Sequence, residues 1–280
     1  MTRMTVADGV RYSIGEHGDG QALLLIHGFT GSSESWAPLL PELDRDRRVL
    51  TVDLLGHGAS DSPSPERHAV ERQAADLAEI LAQLGAGTTD ILGYSFGARV
   101  ALRLALDAPA SVRRLILESP SAGIARARDR AARRGEDRRW VEQLWRGDMD
   151  GFVRDWAAQP IFASQTGLSA ALRAQLLAER AANRPEGLAA SLLGAGQGVM
   201  TPLHDRLGEI EAPTLVISGG LDPRGSARAR ELAEGIPGAI GVSIQDAGHT
   251  PHLETPGRFR ELVMSFLAAA AAVPFPTAAP

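Results

Sequence analysis

At 280 residues, 44% hydrophobic and with a formal net charge of -5, the chain suits one large domain, or one domain with a sizeable insertion, and is no general nucleic-acid binder. It contains no cysteine, which excludes a disulfide scaffold, a thiolate nucleophile and a cysteine-held zinc. No apolar run is long enough to span a bilayer; residues 1–10 are polar, include Asp8 and lack the apolar core of a signal peptide, so the expected location is the cytoplasm, with no membrane partner.

Residues 5–12 and 22–27 are β-rich or apolar, separated by the glycine-rich stretch 15–20, and read as strands. Ala22-Leu-Leu-Leu-Ile26 is a nearly continuous apolar run, the pattern of a strand covered on both faces in a parallel sheet. Residues 33–43 read as a short helix and 48–53 as the next strand. Over 67–84 the apolar residues Ala74, Leu77, Ile80, Leu81 and Leu84 recur at helical spacing, and the pattern stops at Gly85. A strand at 91–94, a helix at 96–106 and a strand at 112–118 follow. This alternation predicts an α/β fold, a mainly parallel central sheet flanked by helices. It breaks after Pro120. Residues 125–207 show helical periods, almost no strand signal, a dense arginine cluster and Trp140, Trp145 and Trp156. They read as a helical cap inserted between a first core segment, 1–124, and a second, 208–268. The second holds a strand at 214–218, a helix at 227–234, a strand at 240–245 and a helix at 258–268. Residues 269–280 are Ala/Pro-rich and read as a mobile tail.

Gly93-Tyr94-Ser95-Phe96-Gly97 carries the strongest chemical signal. It matches G-x-S-x-G and sits between a predicted strand and a predicted helix, the context the motif needs. The glycines let the chain turn sharply enough to present the Ser95 hydroxyl at the sheet edge. The following helix aims free N–H groups at developing negative charge. A serine needs a base and the base an orienter, in the chain order Ser, Asp or Glu, His. Asp222 follows the 214–218 strand through Gly219-Gly220-Leu221, and His249 follows the 240–245 strand through Asp246-Ala-Gly. Both lie just past C-terminal strand ends, where the sites of open parallel sheets gather. Glu118 also ends a strand but comes one strand early for the orienter. His252 reads as a capping or loop histidine. The oxyanion hole requires two backbone N–H donors. These are expected from Phe96, next to the nucleophile, and from Phe29 in His27-Gly28-Phe29-Thr30-Gly31, where Gly28 allows close backbone approach. His27 reads as a loop-fixing hydrogen bonder. The turn at 53–61 reads as structural.

Together these segments resemble the α/β-hydrolase superfamily over nearly the whole chain. His27-Gly-Phe-Thr-Gly-Ser, Gly93-Tyr-Ser-Phe-Gly-Ala-Arg99, Glu118-Ser-Pro-Ser-Ala-Gly123, Ala131-Ala-Arg133, Asp155-Trp156 with Gln159-Pro160-Ile-Phe-Ala-Ser164, and Ala247-Gly-His249 look like the 2-succinyl-6-hydroxy-2,4-cyclohexadiene-1-carboxylate synthases of menaquinone biosynthesis. The cap segments discriminate, because the core motifs occur across the superfamily. The resemblance implies an α/β-hydrolase fold and a lyase that expels pyruvate from a 5-enolpyruvoyl precursor without hydrolysing it. Ser95, deprotonated by His249, would remove a ring proton, and the N–H groups of Phe29 and Phe96 would hold the enolate. The family's substrate-binding arginines fall on Arg99, Arg133 and Arg180, with Tyr94 and Trp156 lining the site. No metal or organic cofactor is implied, and the partner is a small-molecule polycarboxylate. The chain departs from the family at Phe96 and Ala98, where Met or Leu and Gly are usual; neither change removes a catalytic group.

The residues support this independently of the resemblance. Arg99 lies one helical turn beyond Ser95 and so shares its face. An ester hydrolase has little use for a cation there, whereas a carboxylate substrate fits arginine's bidentate fork. Most arginines of 126–139 read instead as a solvated helix face paired with Asp129, Glu136 and Asp137. Trp156 taken alone reads as cap core. Two other readings stay open: a hydrolase of a small ester or carbon–carbon bond using the same triad, and a silent ligand-binding protein on this fold.

Overall fold

The computed structural model describes residues 2–269; all but the first residue of the expected tail lie outside them. Strands β1 (Thr2–Ala7), β2 (Val10–His17), β3 (Gln21–Ile26), β4 (Arg47–Val52), β5 (Thr89–Tyr94), β6 (Val112–Glu118), β7 (Thr214–Gly219) and β8 (Ile240–Ile244) form one eight-stranded sheet in the order β1-β2-β4-β3-β5-β6-β7-β8. The β1/β2 and β2/β4 pairs are antiparallel, and every pairing from β4 to β8 is parallel. Two sequence expectations need correction here. Residues 5–12 are a hairpin rather than one strand, because Asp8 and Gly9 both take positive φ (42° and 77°), the turn that matches strand twist. The stretch 15–20 is only partly a separator, since β2 runs through it to His17.

Helices α1 (Leu40–Leu43), α2 (Val70–Gln83) and α3 (Phe96–Asp107) follow strands in the first segment. The single helix expected at 33–43 is a 3-10 turn, Ser33–Trp36, and then α1; Pro38 between them has no amide to donate. Likewise the helical pattern expected from 67 begins as a 3-10 turn, Pro65–His68, and becomes α2 only at Val70. Gly85, at φ 60°, follows its end, where a left-handed residue closes a helix. Helices α4 (Ala127–Trp145), α5 (Met149–Ala157), α6 (Ala170–Ala181) and α7 (Pro185–Ala195) all lie between β6 and β7. The last three are α8 (Pro223–Gly235), α9 (Pro251–Glu254) and α10 (Pro256–Ala268). Helix α8 starts four residues before the expected 227 because Asp222 caps it, accepting a hydrogen bond from the Gly225 amide.

The sheet is buried on both faces. Along β3, Leu24 and Ile26 pack with Leu77 and Val100 on one face, while Leu23 and Leu25 pack with Phe259 and Phe266 on the other. This is the arrangement the unbroken apolar run demanded. Burying each such leucine is worth about 1.5–3 kcal/mol, so the parallel strands form a rigid platform. The helices between β6 and β7 have an apolar cluster of their own, including Val141, Leu144, Phe152, Trp156 and Leu188. It meets the platform where the Trp156 ring stands edge-on to Phe29, 5.0 Å between centroids.

Candidate active site

Ser95 joins β5 to α3 with φ 49° and ψ -100°, a strained conformation for a residue with a side chain. The surrounding glycines make the turn possible. A Cβ on Gly97 would strike the carbonyls of Ile26 and His27, and one on Gly93 would strike Gly97. The strained turn is fastened by the Ser95 amide, which donates to the Glu118 carbonyl at 2.9 Å. Its hydroxyl lies 3.0 Å from His249 Nε2. His249 Nδ1 donates to Asp222 Oδ2 at 2.9 Å, and Asp222 Oδ1 accepts from the Gly225 amide at 2.9 Å. An ionised Asp222 accepts only, so it fixes the proton on Nδ1 and leaves Nε2 as acceptor toward Ser95. Burial pushes the Asp222 carboxyl up, but the hydrogen bonds from His249 and Gly225 and the neighbouring positive charge outweigh it and hold it below the ordinary aspartate value.

The loop after β3 faces this serine. A Cβ on Gly28 would enter the Tyr94 ring, so glycine there lets the loop lie against β5. Phe96 opens α3, so its N–H has no acceptor one turn back. The Phe29 N–H has no acceptor among the described residues. His27 fixes the loop as expected: Nδ1 donates to the Gly28 carbonyl at 2.7 Å and Nε2 accepts from the Leu54 amide at 3.0 Å.

A cavity of about 640 Å³ opens over Ser95 and His249, and Phe29, Tyr94, Phe96, Arg99, Arg133 and Trp156 all line it. Arg99 is only 7% exposed. It donates to the Ala195 carbonyl at 2.6 Å and lies over the Phe96 ring, 4.8 Å from its centroid. It has no ion pair among the described residues. Burial, with Arg133 nearby and Asp137 opposing, pushes its guanidinium down to about 9, still charged at neutral pH. Arg133 combines both sequence readings, since it lines the cavity and also pairs with Asp137 at 2.7 Å. Trp156 does the same. It stacks on Phe152 at 5.6 Å within the helical cluster while lining the cavity, and its buried indole N–H has no partner among the described residues.

Arg180 is placed elsewhere. It lines a separate cavity of about 40 Å³, 7% exposed, with its guanidinium 4.9 Å from the centre of the Phe162 ring. Phe29, Tyr94 and Phe162 line both cavities, so these rings separate Arg180 from the space above Ser95.

The structure also brings in contacts and residues that sequence reasoning missed. Glu118 and His252 form a second buried pair, 2.8 Å apart, packed behind Tyr94; Glu118 is therefore engaged away from His249. The amides flanking His249, those of Gly248 and Thr250, donate to Glu254 at 2.7 and 2.9 Å, and the Ser119 hydroxyl donates to the His249 carbonyl at 2.8 Å. Helix α6 reaches down to the loop after β3. Glu179 accepts from the Ser32 amide at 2.8 Å and from the Ser35 hydroxyl. Just beyond α6, Asn183 donates to the Thr30 carbonyl at 2.9 Å. Arg224 and Arg228, on α8, line the large cavity. Only Glu254 carried a local signal, its place five residues beyond the histidine; the others depend on long-range packing.

The family model for the alpha/beta hydrolase fold matches residues 21–256. A Bacillus subtilis (strain 168) protein provisionally named 2-succinyl-6-hydroxy-2,4-cyclohexadiene-1-carboxylate synthase is 37% identical over 94% of this chain and 97% of its own. The Pectobacterium atrosepticum protein named for the same synthase is 32% identical over 88% of this chain and 93% of its own. The solved structure of MenH from S. aureus superposes with a TM-score of 0.87 at 31% identity, covering 91% of this chain and 97% of that one.

Proposed function

Because the chain belongs to the α/β-hydrolase family and, within it, to the 2-succinyl-6-hydroxy-2,4-cyclohexadiene-1-carboxylate synthases, we propose that it is a lyase of menaquinone biosynthesis. It eliminates pyruvate from 2-succinyl-5-enolpyruvoyl-6-hydroxy-3-cyclohexene-1-carboxylate. Ser95, His249 and Asp222 act as one unit. His249 Nε2 takes the Ser95 proton, and Ser95 Oγ takes the ring proton beside the succinyl ketone. The freed electron pair moves onto the ketone oxygen, where the N–H groups of Phe29 and Phe96 hold the enolate. As the pair returns, the second ring double bond forms and the carbon–oxygen bond to the enolpyruvoyl group breaks. Enolpyruvate departs and is protonated on carbon to give pyruvate. Asp222 keeps the imidazole in the tautomer this exchange needs.

The observation that carries this reading is Arg99, a buried guanidinium one helical turn from Ser95 with no ion pair among the described residues. Such a charge is costly without a partner, and a carboxylated substrate supplies one. Arg133 adds a second positive group, its charge shared with Asp137. Tyr94 and Trp156 form the walls. Arg180 takes part when the Phe162 ring turns aside and joins the small cavity to the large one. Residues 125–207 serve as the cap over a core made of 1–124 and 208–268. The charged, freely diffusing substrate fits a reaction in the cytoplasm.

The test is incubation with the enolpyruvoyl precursor in oxygen-18 water, following pyruvate and reducing it at once to stop ketone exchange. Pyruvate release with no label entering at the succinyl carbonyl is expected. Rapid turnover of activated esters with an acyl-enzyme burst, and no pyruvate, would overturn the lyase in favour of a hydrolase using the same serine.

A further inference from the structure

Helix α8 gives the large cavity a charged wall that neither the motifs nor the relatives' names assign. The helix starts where Asp222 caps it. Arg224 and Arg228 stand four residues apart, hence on one helical face, and both line the cavity. Arg224 is exposed and Arg228 half-buried. Arg228 has no ion pair and no hydrogen bond among the described residues. Its strongest electrostatic neighbour is Asp222, followed by Arg133 and Arg224 and then by Glu231. Asp222 is already engaged by His249 and the Gly225 amide, and Glu231 lies against His204. The other carboxylate on the cavity, Glu136, forms no ion pair with Arg228. Other arginines of this chain are satisfied by acids: Arg206 is held by both Glu209 and Asp107. A half-buried guanidinium facing two further guanidinium groups is unfavourable until an anion enters among them.

We propose that Arg228, with Arg224 at the rim, forms a second carboxylate subsite on the α8 side of the cavity, separate from the one Arg99 forms on the α3 side. The substrate class is then a compound with at least two carboxylates, held across the reacting centre by both walls. This rests on the lyase reading only for the identity of the natural ligand. A polycarboxylate bridging two helices is oriented about the serine in a way that one arginine cannot achieve. A monocarboxylate satisfies a single wall and gains nothing from the other.

Binding is measured in the Ser95→Ala protein, which cannot turn over, by calorimetry and by quenching of tryptophan fluorescence, since Trp156 lines the cavity. The probes are the enolpyruvoyl precursor, a series of α,ω-dicarboxylates from succinate to adipate, and acetate. Adding Arg228→Met is expected to weaken the precursor and the best diacid at least tenfold and acetate less than twofold. Arg228→Lys should recover part of the loss, because charge returns without the fork. Arg230→Met, on the same helix but exposed, should change nothing. Should the precursor fail to bind while diacids bind through Arg228, the lyase reading falls and the subsite stands. Affinities within twofold of the parent in Arg228→Met, or no binding of the precursor or any diacid, overturn the subsite. Equal losses for acetate and diacids also overturn it, because they mean a general effect on the cavity.

Discussion

Replacing Arg99 by methionine separates what this residue does for the fold from what it does for the reaction, and the two effects should have opposite signs. In the fold burial pushes the guanidinium from its ordinary value down to about 9. Folded and unfolded states both carry the charge at neutral pH, so the full cost of burying it is present there; it is relieved only as pH climbs above about 9. At about 1.4 kcal/mol per pKa unit that cost is about 5 kcal/mol. Against it stand the charged hydrogen bond to the Ala195 carbonyl, about 2 kcal/mol, and the Phe96 ring, about 1 kcal/mol. Methionine fills similar apolar volume without the charge. The variant should therefore gain about 2 kcal/mol, a rise of several degrees in Tm at about 2–4 °C per kcal/mol. Turnover should move the other way. Loss of the substrate's buried partner costs about 2–4 kcal/mol of transition-state stabilisation, or about 30- to 1000-fold in kcat/KM. Arg99→Lys should recover only part of it. The assays are thermal unfolding and pyruvate release, side by side. A lower Tm with activity kept would refute the reasoning, because Arg99 would then be a structural tie for the Ala195 carbonyl and not an anion site.

Ser95→Ala and His249→Ala should each abolish nearly all pyruvate release, and the double variant should be little worse than either, since the groups act as a unit; additive losses in steady-state assays would count against a shared role. Asp222→Asn should be severe through the wrong imidazole tautomer, and near-normal kcat would return the orienter's role to another acid. Because the folded Asp222 sits below its ordinary value, the stability it contributes is present above the unfolded aspartate pKa of about 3.9 and is lost as pH falls further. The stability difference between Asp222→Asn and the parent should therefore hold steady above that pH and shrink as pH falls through the low window. Arg180→Ala should lose about 2–4 kcal/mol in kcat/KM, whereas Arg126→Ala and Arg138→Ala, both exposed, should do little. Equal small effects from all three, in the same kinetic assay, would leave Arg180 a buried structural residue beside Phe162 with no part in the reaction.

The turn that presents Ser95 was legible because its signal is local: five consecutive residues encode it, between a strand and a helix. Asp222 and His249 were legible through order and position alone. What escaped needed contacts between distant segments. Arg228 resembles any solvated helical arginine until α8 is seen to wall the cavity, and Glu118 shows its partner only once β6 and α9 meet. Arg180 could be placed near the site by resemblance, but only packing shows the Phe162 ring between it and the serine. The β1/β2 hairpin is a different miss, because Asp8-Gly9 is a strong local turn signal that the apolar pattern around it obscured.

The ties from Glu179 and Asn183 to the loop after β3 impose an order in time. A chain leaves the ribosome from its N-terminus, and this loop and Ser95 emerge long before the side chains that hold the loop still. The 154 residues between Ser95 and His249 take roughly 8–30 s to synthesise at ordinary elongation rates of about 5–20 residues per second. Glu179 and Asn183 emerge about midway through that interval, and His249 only at its end. The hydrogen bond from Ser95 to His249 thus forms only when the finished chain closes upon itself.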